Sequence, residues 1–174
     1  MEGNIDRRSF YGMGYGMYVV ASYRNGKLNG QIANTVFQVS SEPPQIATAI
    51  SKNNLTHDFI AESGCFAVTI LSENTPFKDI GWFGFRSGRD IDKFENIPHK
   101  KGASGCPFVL ENGLAGIEVK VVQKIDVGSH TLFIGEVTSA EVFSDGTPLT
   151  YAYYREHIKG KTPSGSPTYT PPRE

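Results

Sequence analysis

The 174-residue chain is poor in the features that mark secreted, nucleic-acid-binding and membrane-spanning proteins. It has only two cysteines and a net charge of −1, which excludes a disulfide framework and argues against a basic surface for nucleic acid. No apolar run approaches the roughly 18 residues that a membrane helix needs. The N-terminus, MEGNIDRRSF, has no apolar segment behind its basic residues, so no secretory signal is expected. We therefore expect a cytoplasmic protein.

The cysteines and histidines give no sign of a metal site. Cys65 and Cys106 lack the CxxC spacing of zinc ligands, and His57, His99 and His157 have no metal-ligand spacing among them. Cys65 lies in an apolar strand pattern and is expected to be a small buried residue. Cys106 is expected in a loop, where its thiol could react.

Glycine and proline are plentiful, at 19 and 10 residues, which favours a β-rich chain with many turns. Apolar periodicity predicts strands over 17–25, 27–40, 45–51, 65–71, 113–125 and 130–143, and short helices over 55–63 and 76–84. Asn25-Gly26 is a strong hairpin signal. Residues 86–106 predict a long polar loop, which in a compact domain is usually functional. The balance favours a mainly β fold, an antiparallel barrel with short helices over its openings.

The composition changes near residue 159. The last segment, KGKTPSGSPTYTPPRE, is rich in proline and has no apolar period. We therefore predict one domain over residues 1–158 and an extended tail or linker over 159–174.

Small polar side chains are threaded through two apolar strand runs between residues 29 and 56. The stretch ends at Lys52 and a predicted helix start. Strand-end amides suit the edge of a planar heteroaromatic ring, while a lysine and free helix N–H groups suit a phosphate. The pattern therefore favours a flavin. The alternatives are that Asn34 and Thr35 only cap a strand or bulge, and that Lys52 is solvated beside an ordinary capped helix.

Six pieces of the chain occur in an order typical of one family. They read GMYVVAS, NGQIANTVFQVS, PPQIATAISKNNLT, SGCFAVTILS, FGFRSGRDIDKF and HTLFIGEV, from Gly16 to Val137. In this order and spacing the chain resembles the flavin reductase-like proteins, and among them the flavin domain of high-molecular-weight rubredoxins and flavoredoxin-like proteins. The resemblance implies an FMN-binding split β-barrel with Greek-key antiparallel strands.

The resemblance also implies an activity. The chain would bind FMN noncovalently as a homodimer, accept hydride from NADH or NADPH, and pass electrons to free flavin or to a redox protein of the rubredoxin or diiron flavoprotein type. One alternative is a flavoredoxin-like shuttle that a protein partner reduces. The other is a non-catalytic flavin-binding barrel.

The resemblance assigns residues to this site. The expected cofactor-binding residues are Ala33, Asn34, Thr35, Ser40, Ala49, Ser51, Lys52, Asn53, Thr56, Phe83, Gly84, Ser87 and Lys93. His130 is the expected catalytic residue, because family members place a histidine there near flavin and nicotinamide; a strand-end histidine bonded to backbone is the alternative. Arg89 is a second candidate for the phosphate or the pyridine nucleotide. Trp82, Tyr151, Tyr153 and Tyr154 are expected to pack in the core or an interface.

Overall fold

Seven of the nine strands within residues 5–169 join into one antiparallel sheet, and the two edge strands of this sheet are consecutive in the sequence. The structure, a computed structural model, describes residues 5–169. The strands are β1 (Tyr18–Arg24), β2 (Lys27–Ala33), β3 (Val36–Ser41), β4 (Pro44–Ser51), β5 (Cys65–Leu71), β6 (His99–Lys101), β7 (Pro107–Val109), β8 (Gly113–Asp126) and β9 (His130–Val142). The helices are a 3-10 helix (Arg7–Gly12), α1 (Leu55–Ser63), α2 (Phe77–Phe85) and α3 (Tyr151–Tyr153), which continues into a π-helical turn (Tyr154–Ile158).

The order of the strands closes the sheet into a split barrel. Seven strands pair in the order β2-β1-β5-β8-β9-β4-β3, and β6 pairs with β7 apart from them. The edge strands β2 and β3 are joined by Asn34 and Thr35 alone, so the sheet must curl until its edges meet. The prediction of a mainly β, antiparallel barrel with short helices is confirmed.

Local turn chemistry sets several element boundaries. Asn25 and Gly26 adopt φ values of 50° and 76°, as the predicted two-residue hairpin requires. Gly64 ends α1 in the left-handed conformation, with φ of 71°, which suits glycine because it has no Cβ. The bounds of α1 and β5 agree with the sequence prediction.

Three predicted boundaries differ from the structure. The strand expected over 27–40 is two strands, because the chain leaves the sheet at Asn34 and Thr35. The helix predicted over 76–84 is α2, which begins and ends one residue later and has Pro76 at its N-cap. Thr75 precedes this helix, and its hydroxyl donates to the Ser72 carbonyl at 2.6 Å. The loop over 86–106 contains the short strand β6.

The sheet is packed on both faces near its centre. Val19 and Val20 are neighbours in β1 and point to opposite faces, and they belong to two separate buried clusters. The Val19 cluster includes Ile80 and Phe83 of α2, and the Val20 cluster includes Ile60 of α1. Helix α1 therefore packs on one face of the β1–β2 hairpin and α2 packs on the other, chiefly against β2. No helix within residues 5–169 is long and apolar enough to cross a membrane.

Candidate functional site

A cavity of about 290 Å³ opens beside the junction of β2 and β3. Four segments wall it: the end of β2, the stretch from β4 into α1, α2 with the loop after it, and the residues that follow α3. Ten of the predicted cofactor-binding residues line it: Ala33, Asn34, Ala49, Ser51, Asn53, Thr56, Phe83, Gly84, Ser87 and Lys93. The structure thus brings together residues that lie up to 60 positions apart in the chain.

The N-terminus of α1 lies in the wall of this cavity. Asn54 is the N-cap residue, but its side chain makes no capping bond and donates instead to Gln31 Oε1 at 3.0 Å. The amides of Leu55 and Thr56 open the helix, so they have no acceptor within it. All three residues line the cavity. A helix start of this kind favours an anion.

Strand β2 supplies a polar wall that the sequence prediction missed. Asn29 and Gln31 alternate on one side of the strand and line the cavity. Asn29 Nδ2 donates to Thr56 Oγ1 at 2.8 Å, which ties β2 to α1. A Cβ on Gly88 would lie 2.0 Å from Asn29 Oδ1, so the loop after α2 approaches this wall as closely as only glycine allows. Two amides at alternate positions of a strand were the available signal.

Lys93 is a buried cation in the cavity wall, with only 3% of its surface exposed. Its Nζ donates to the carbonyls of Gly30 at 2.9 Å and Phe83 at 3.0 Å. No carboxylate pairs with it among residues 5–169. Burial lowers the pKa of Lys93 to about 8, so the ammonium is still mostly protonated at neutral pH.

All the charged side chains in the described part of the cavity wall are cations. Arg86, Lys93 and Lys161 line it, and no aspartate or glutamate does. The whole chain has a net charge of −1, so this concentration of cations is local. The cavity is therefore suited to a ligand that carries negative charge.

The tail predicted after residue 158 lies across the mouth of the cavity. Pro163, Gly165, Ser166 and Pro167 contribute to the lining. Asn34 Nδ2 donates to Thr168 Oγ1 at 2.6 Å. The Tyr154 hydroxyl donates to the Lys161 carbonyl at 3.1 Å, and the hydroxyls of Tyr151 and Thr162 are hydrogen-bonded. The proline-rich segment is thus fastened at both ends of its path over the cavity.

Four candidate residues lie outside the cavity lining. Thr35 accepts a backbone hydrogen bond from Ala49 at 3.2 Å and so extends the β3–β4 pairing. The Ser40 hydroxyl donates to the Pro43 carbonyl in the β3–β4 turn. Lys52 Nζ lies 2.6 Å from Asp126 Oδ2 in an exposed ion pair. Arg89 lies 3.4 Å from Asp58, and Arg86 takes the place beside the cavity.

His130 lies next to the cavity without lining it. It pairs with the cavity residue Ser51 across β9 and β4, and its Nδ1 is 2.8 Å from the Ser129 hydroxyl. Burial lowers the pKa of His130, and its Nε2 is buried without a hydrogen-bond partner among the described residues. A neutral imidazole therefore stands between the strand wall and the tail.

The tyrosines of the C-terminal region pack as predicted, with Tyr154 in the buried cluster around Val19 and Tyr151 and Tyr153 against it. Two of them also belong to the site. Tyr151 and Tyr154 line the cavity and their rings stack at a centroid distance of 6.2 Å. Trp82 packs against the buried cluster around Val19, and its Nε1 donates to the Lys93 carbonyl at 3.0 Å. No group of three metal-ligating side chains occurs in the part of the chain that the structure describes.

Comparisons with known proteins agree with the mainly β fold. Residues 10–162 match the flavin reductase like domain family. The chain is 48% identical to the ferric-chelate reductase (NAD(P)H) of Archaeoglobus fulgidus over 165 residues, which are 95% of this chain and 98% of that protein. It is 43% identical to the high molecular weight rubredoxin of Moorella thermoacetica over 170 residues, which are 98% of this chain and 74% of that protein. The NADH:FAD oxidoreductase SgcE6 of Streptomyces globisporus has a similar structure, with a TM-score of 0.75 and 25% identity over 83% of this chain and 85% of that one.

Proposed function

The chain belongs to the flavin reductase-like family, and we propose that it binds FMN noncovalently and uses it to oxidise NADH or NADPH. The observation that carries the proposal is a cavity with three cations and no carboxylate in its described lining, beside an uncapped helix start. Bound FMN would supply the hydride acceptor, which no side chain provides. The chain's own residues bind the cofactor, orient it and exclude water.

The end of β2 and the start of α1 are proposed to bind different parts of the cofactor. The backbone and amide of Asn34, with Ala33 and Ala49 beside it, suit the polar edge of the flavin ring. The first-turn amides of α1, with Ser51 and Asn53, suit the phosphate because they combine free N–H donors with the positive end of the helix dipole. The short side chains at these positions leave room for a close backbone approach.

Lys93 balances the negative charge of the cofactor from inside the wall. Its aliphatic part is packed and its Nζ is fixed by two carbonyls, so the charge is held in place before the ligand arrives. A fixed buried cation has a stronger effect on a nearby anion than a solvated one. We therefore assign Lys93 to electrostatic stabilisation of the bound flavin.

His130 is assigned to the pyridine nucleotide. Hydride transfer needs no acid or base at the hydride itself, so a neutral imidazole serves by hydrogen-bonding the nicotinamide amide or by holding a proton for the reduced flavin. The Ser129 hydroxyl at Nδ1 limits the rotation of the ring. Its position between Ser51 and the tail fits this role.

The electron acceptor is proposed to be free flavin or a redox protein of the rubredoxin or diiron flavoprotein type, in the cytoplasm. We also propose a homodimer. The half of the sheet around β3, β8 and β9 exposes large apolar side chains: Phe37 at 49%, Val39 at 47%, Val122 at 46%, Ile125 at 43% and Val127 at 52%. Such a surface is typical of an interface. Light scattering on the purified protein tests the dimer.

A visible absorption spectrum tests the main proposal. The protein loaded with FMN and desalted should retain a flavin band that anaerobic NADH or NADPH bleaches promptly. A retained band that neither nucleotide bleaches would instead indicate a shuttle reduced by a protein partner. A protein that retains no flavin would contradict the site as well as the function.

An added negative charge at the helix start tests the phosphate site. Asn53 lines the cavity and its side chain is exposed, so Asn53→Asp should fold normally and repel a phosphate. We expect FMN affinity to fall by a factor of about ten, while riboflavin affinity stays unchanged. Asn74→Asp, at an exposed position outside the cavity, is the matched control. Equal loss for both ligands would place the phosphate elsewhere.

A further inference from the structure

The chain's two cysteines meet in a buried cluster that is separate from the cavity lining. Cys65 is the first residue of β5 and Cys106 directly precedes β7, with exposed fractions of 6% and 0%. Their Sγ atoms are 3.2 Å apart. Cys106 lies in a loop, as the sequence predicted, but it is buried there in a cluster that includes Ala67 and Phe108.

The segment that carries Cys106 is held firmly in place. The amide of Gly102 donates to the Cys106 carbonyl at 2.9 Å, and Gly105 adopts a φ of 93°, where a side chain would be strained. Glu118 of β8 is buried and accepts from the Ser104 amide at 3.0 Å and from its hydroxyl. Because this turn is tied to the sheet, the two sulfur atoms remain neighbours in the folded protein.

The two thiols are not equivalent. A hydrogen bond from the Cys106 thiol lowers the pKa of Cys65, and the hydroxyls of Ser63 and Ser104 add to this, while burial and Glu118 oppose it. The pKa of Cys106 is raised, chiefly because its proton is shared with the neighbouring sulfur. A thiolate is the nucleophilic form of cysteine, and Cys65 is also the more accessible of the two, at 6% exposed against 0% for Cys106. We therefore assign Cys65 as the attacking sulfur and Cys106 as the sulfur that resolves the intermediate.

We propose that Cys65 and Cys106 form an oxidisable dithiol that closes to an intrachain disulfide when it meets hydrogen peroxide. The Cys65 thiolate attacks one peroxide oxygen; the O–O bond breaks, hydroxide leaves and takes up a proton, and Cys65 becomes a sulfenic acid. The Cys106 sulfur then attacks Cys65, the S–S bond forms, the S–O bond breaks and water leaves. Two thiols are oxidised and one peroxide is reduced to two waters.

The bond would close a covalent loop around part of the cavity wall. The cysteines are 41 positions apart, and the chain between them contains α2 together with Phe83, Ser87 and Lys93. A disulfide across such a loop removes conformational freedom from the unfolded chain. Oxidation would therefore raise the stability of the folded protein.

Peroxide treatment of the intact protein, without any pyridine nucleotide, tests the proposal. We expect both thiols to become unavailable to maleimide after unfolding, a cross-linked Cys65–Cys106 peptide in the non-reduced digest, and full reversal by dithiothreitol. The protein should not form disulfide-linked dimers. The oxidised form should melt about 5–10 °C higher than the reduced form.

Three results would overturn the proposal: both thiols surviving peroxide, oxidation that ends in sulfinic acid or intermolecular bonds, or a lower melting temperature after oxidation. The variants Cys65→Ser and Cys106→Ser should each lose the cross-linked peptide and the peroxide-induced rise in melting temperature. Since the chain has no other cysteines, the thiol count of the unaltered protein decides the question even where a variant folds poorly.

Discussion

Lys93 allows a quantitative prediction about stability and pH. The lysine is 3% exposed, and burial lowers its pKa from 10.5 to about 8. Below pH 8 the folded protein holds a charge that is costly to bury, and this cost is relieved as the pH rises and the folded form loses its proton first. Because the unfolded chain binds more protons in this range, stability rises with pH. A lysine held in an ion pair behaves in the opposite way: its pKa is raised in the folded state, so stability falls as the pH rises through that pKa.

The size of the effect follows from the two pKa values. The full difference corresponds to about 3 kcal/mol, and about 2 kcal/mol of it should appear between about pH 7 and pH 9.5. Lys93→Met removes the titrating group while keeping most of the side-chain volume. The two donors to Gly30 and Phe83 are lost as well, so the prediction concerns the slope with pH and not the absolute stability.

Urea unfolding of the flavin-free protein at a series of pH values measures this slope. Between about pH 7 and pH 9.5, the unfolding free energy of the unaltered protein should rise by about 2 kcal/mol relative to that of Lys93→Met. Titrations of Cys65 and the tyrosines are common to both proteins and cancel. Lys101→Met, at an exposed lysine in β6, should leave the slope unchanged. Parallel curves for the Lys93 variant would refute the buried, protonated lysine.

Three further changes test other parts of the structure. His130→Gln should lower kcat/KM for NADH about 100-fold while FMN affinity changes little, as stopped-flow reduction of the loaded protein would show. Because the ion pair between Lys52 and Asp126 is exposed, Lys52→Ala and Asp126→Asn should each alter FMN affinity less than about threefold in fluorescence titrations; a large loss in the first with a gain in the second would assign Lys52 to the phosphate. Gly135→Ala should cost about 2 kcal/mol or more in denaturant unfolding, because its Cβ would lie 2.4 Å from a backbone carbonyl of β8; Gly14→Ala, where no atom lies within 4 Å, should be nearly neutral.

Features set by neighbouring residues could be predicted from the sequence. The bounds of α1 and β5 depend on an apolar period and on Gly64, all within one short stretch. The polar pattern of strand ends before a helix start pointed to Asn34 and Ser51, and the family resemblance added Ala33; all three line the cavity. The barrel itself follows from the number and alternation of the strands and from the absence of regular βαβ units.

Features that depend on distant contacts could not be predicted in the same way. Lys93 stands in a run of alternating charges that is typical of a solvated loop, and only the packing of α2 against β2 buries it. Lys52 meets Asp126 across 74 positions of sequence. The proline-rich tail has no periodic pattern, so its path over Asn34 depends on contacts that composition does not encode.

The tail beside the cavity can change the rate at which a ligand exchanges without a matching change in the ligand's affinity. Four residues between Pro163 and Pro167 line the cavity, and the hydrogen bond from Asn34 to Thr168 holds this part of the tail against it. The exchange rate of a bound ligand should therefore depend on that hydrogen bond as well as on the ligand's own contacts. Slow dissociation makes a flavin behave as a prosthetic group, and rapid dissociation makes it behave as a substrate. In this fold, a few hydrogen bonds between the tail and the cavity wall can decide between the two behaviours.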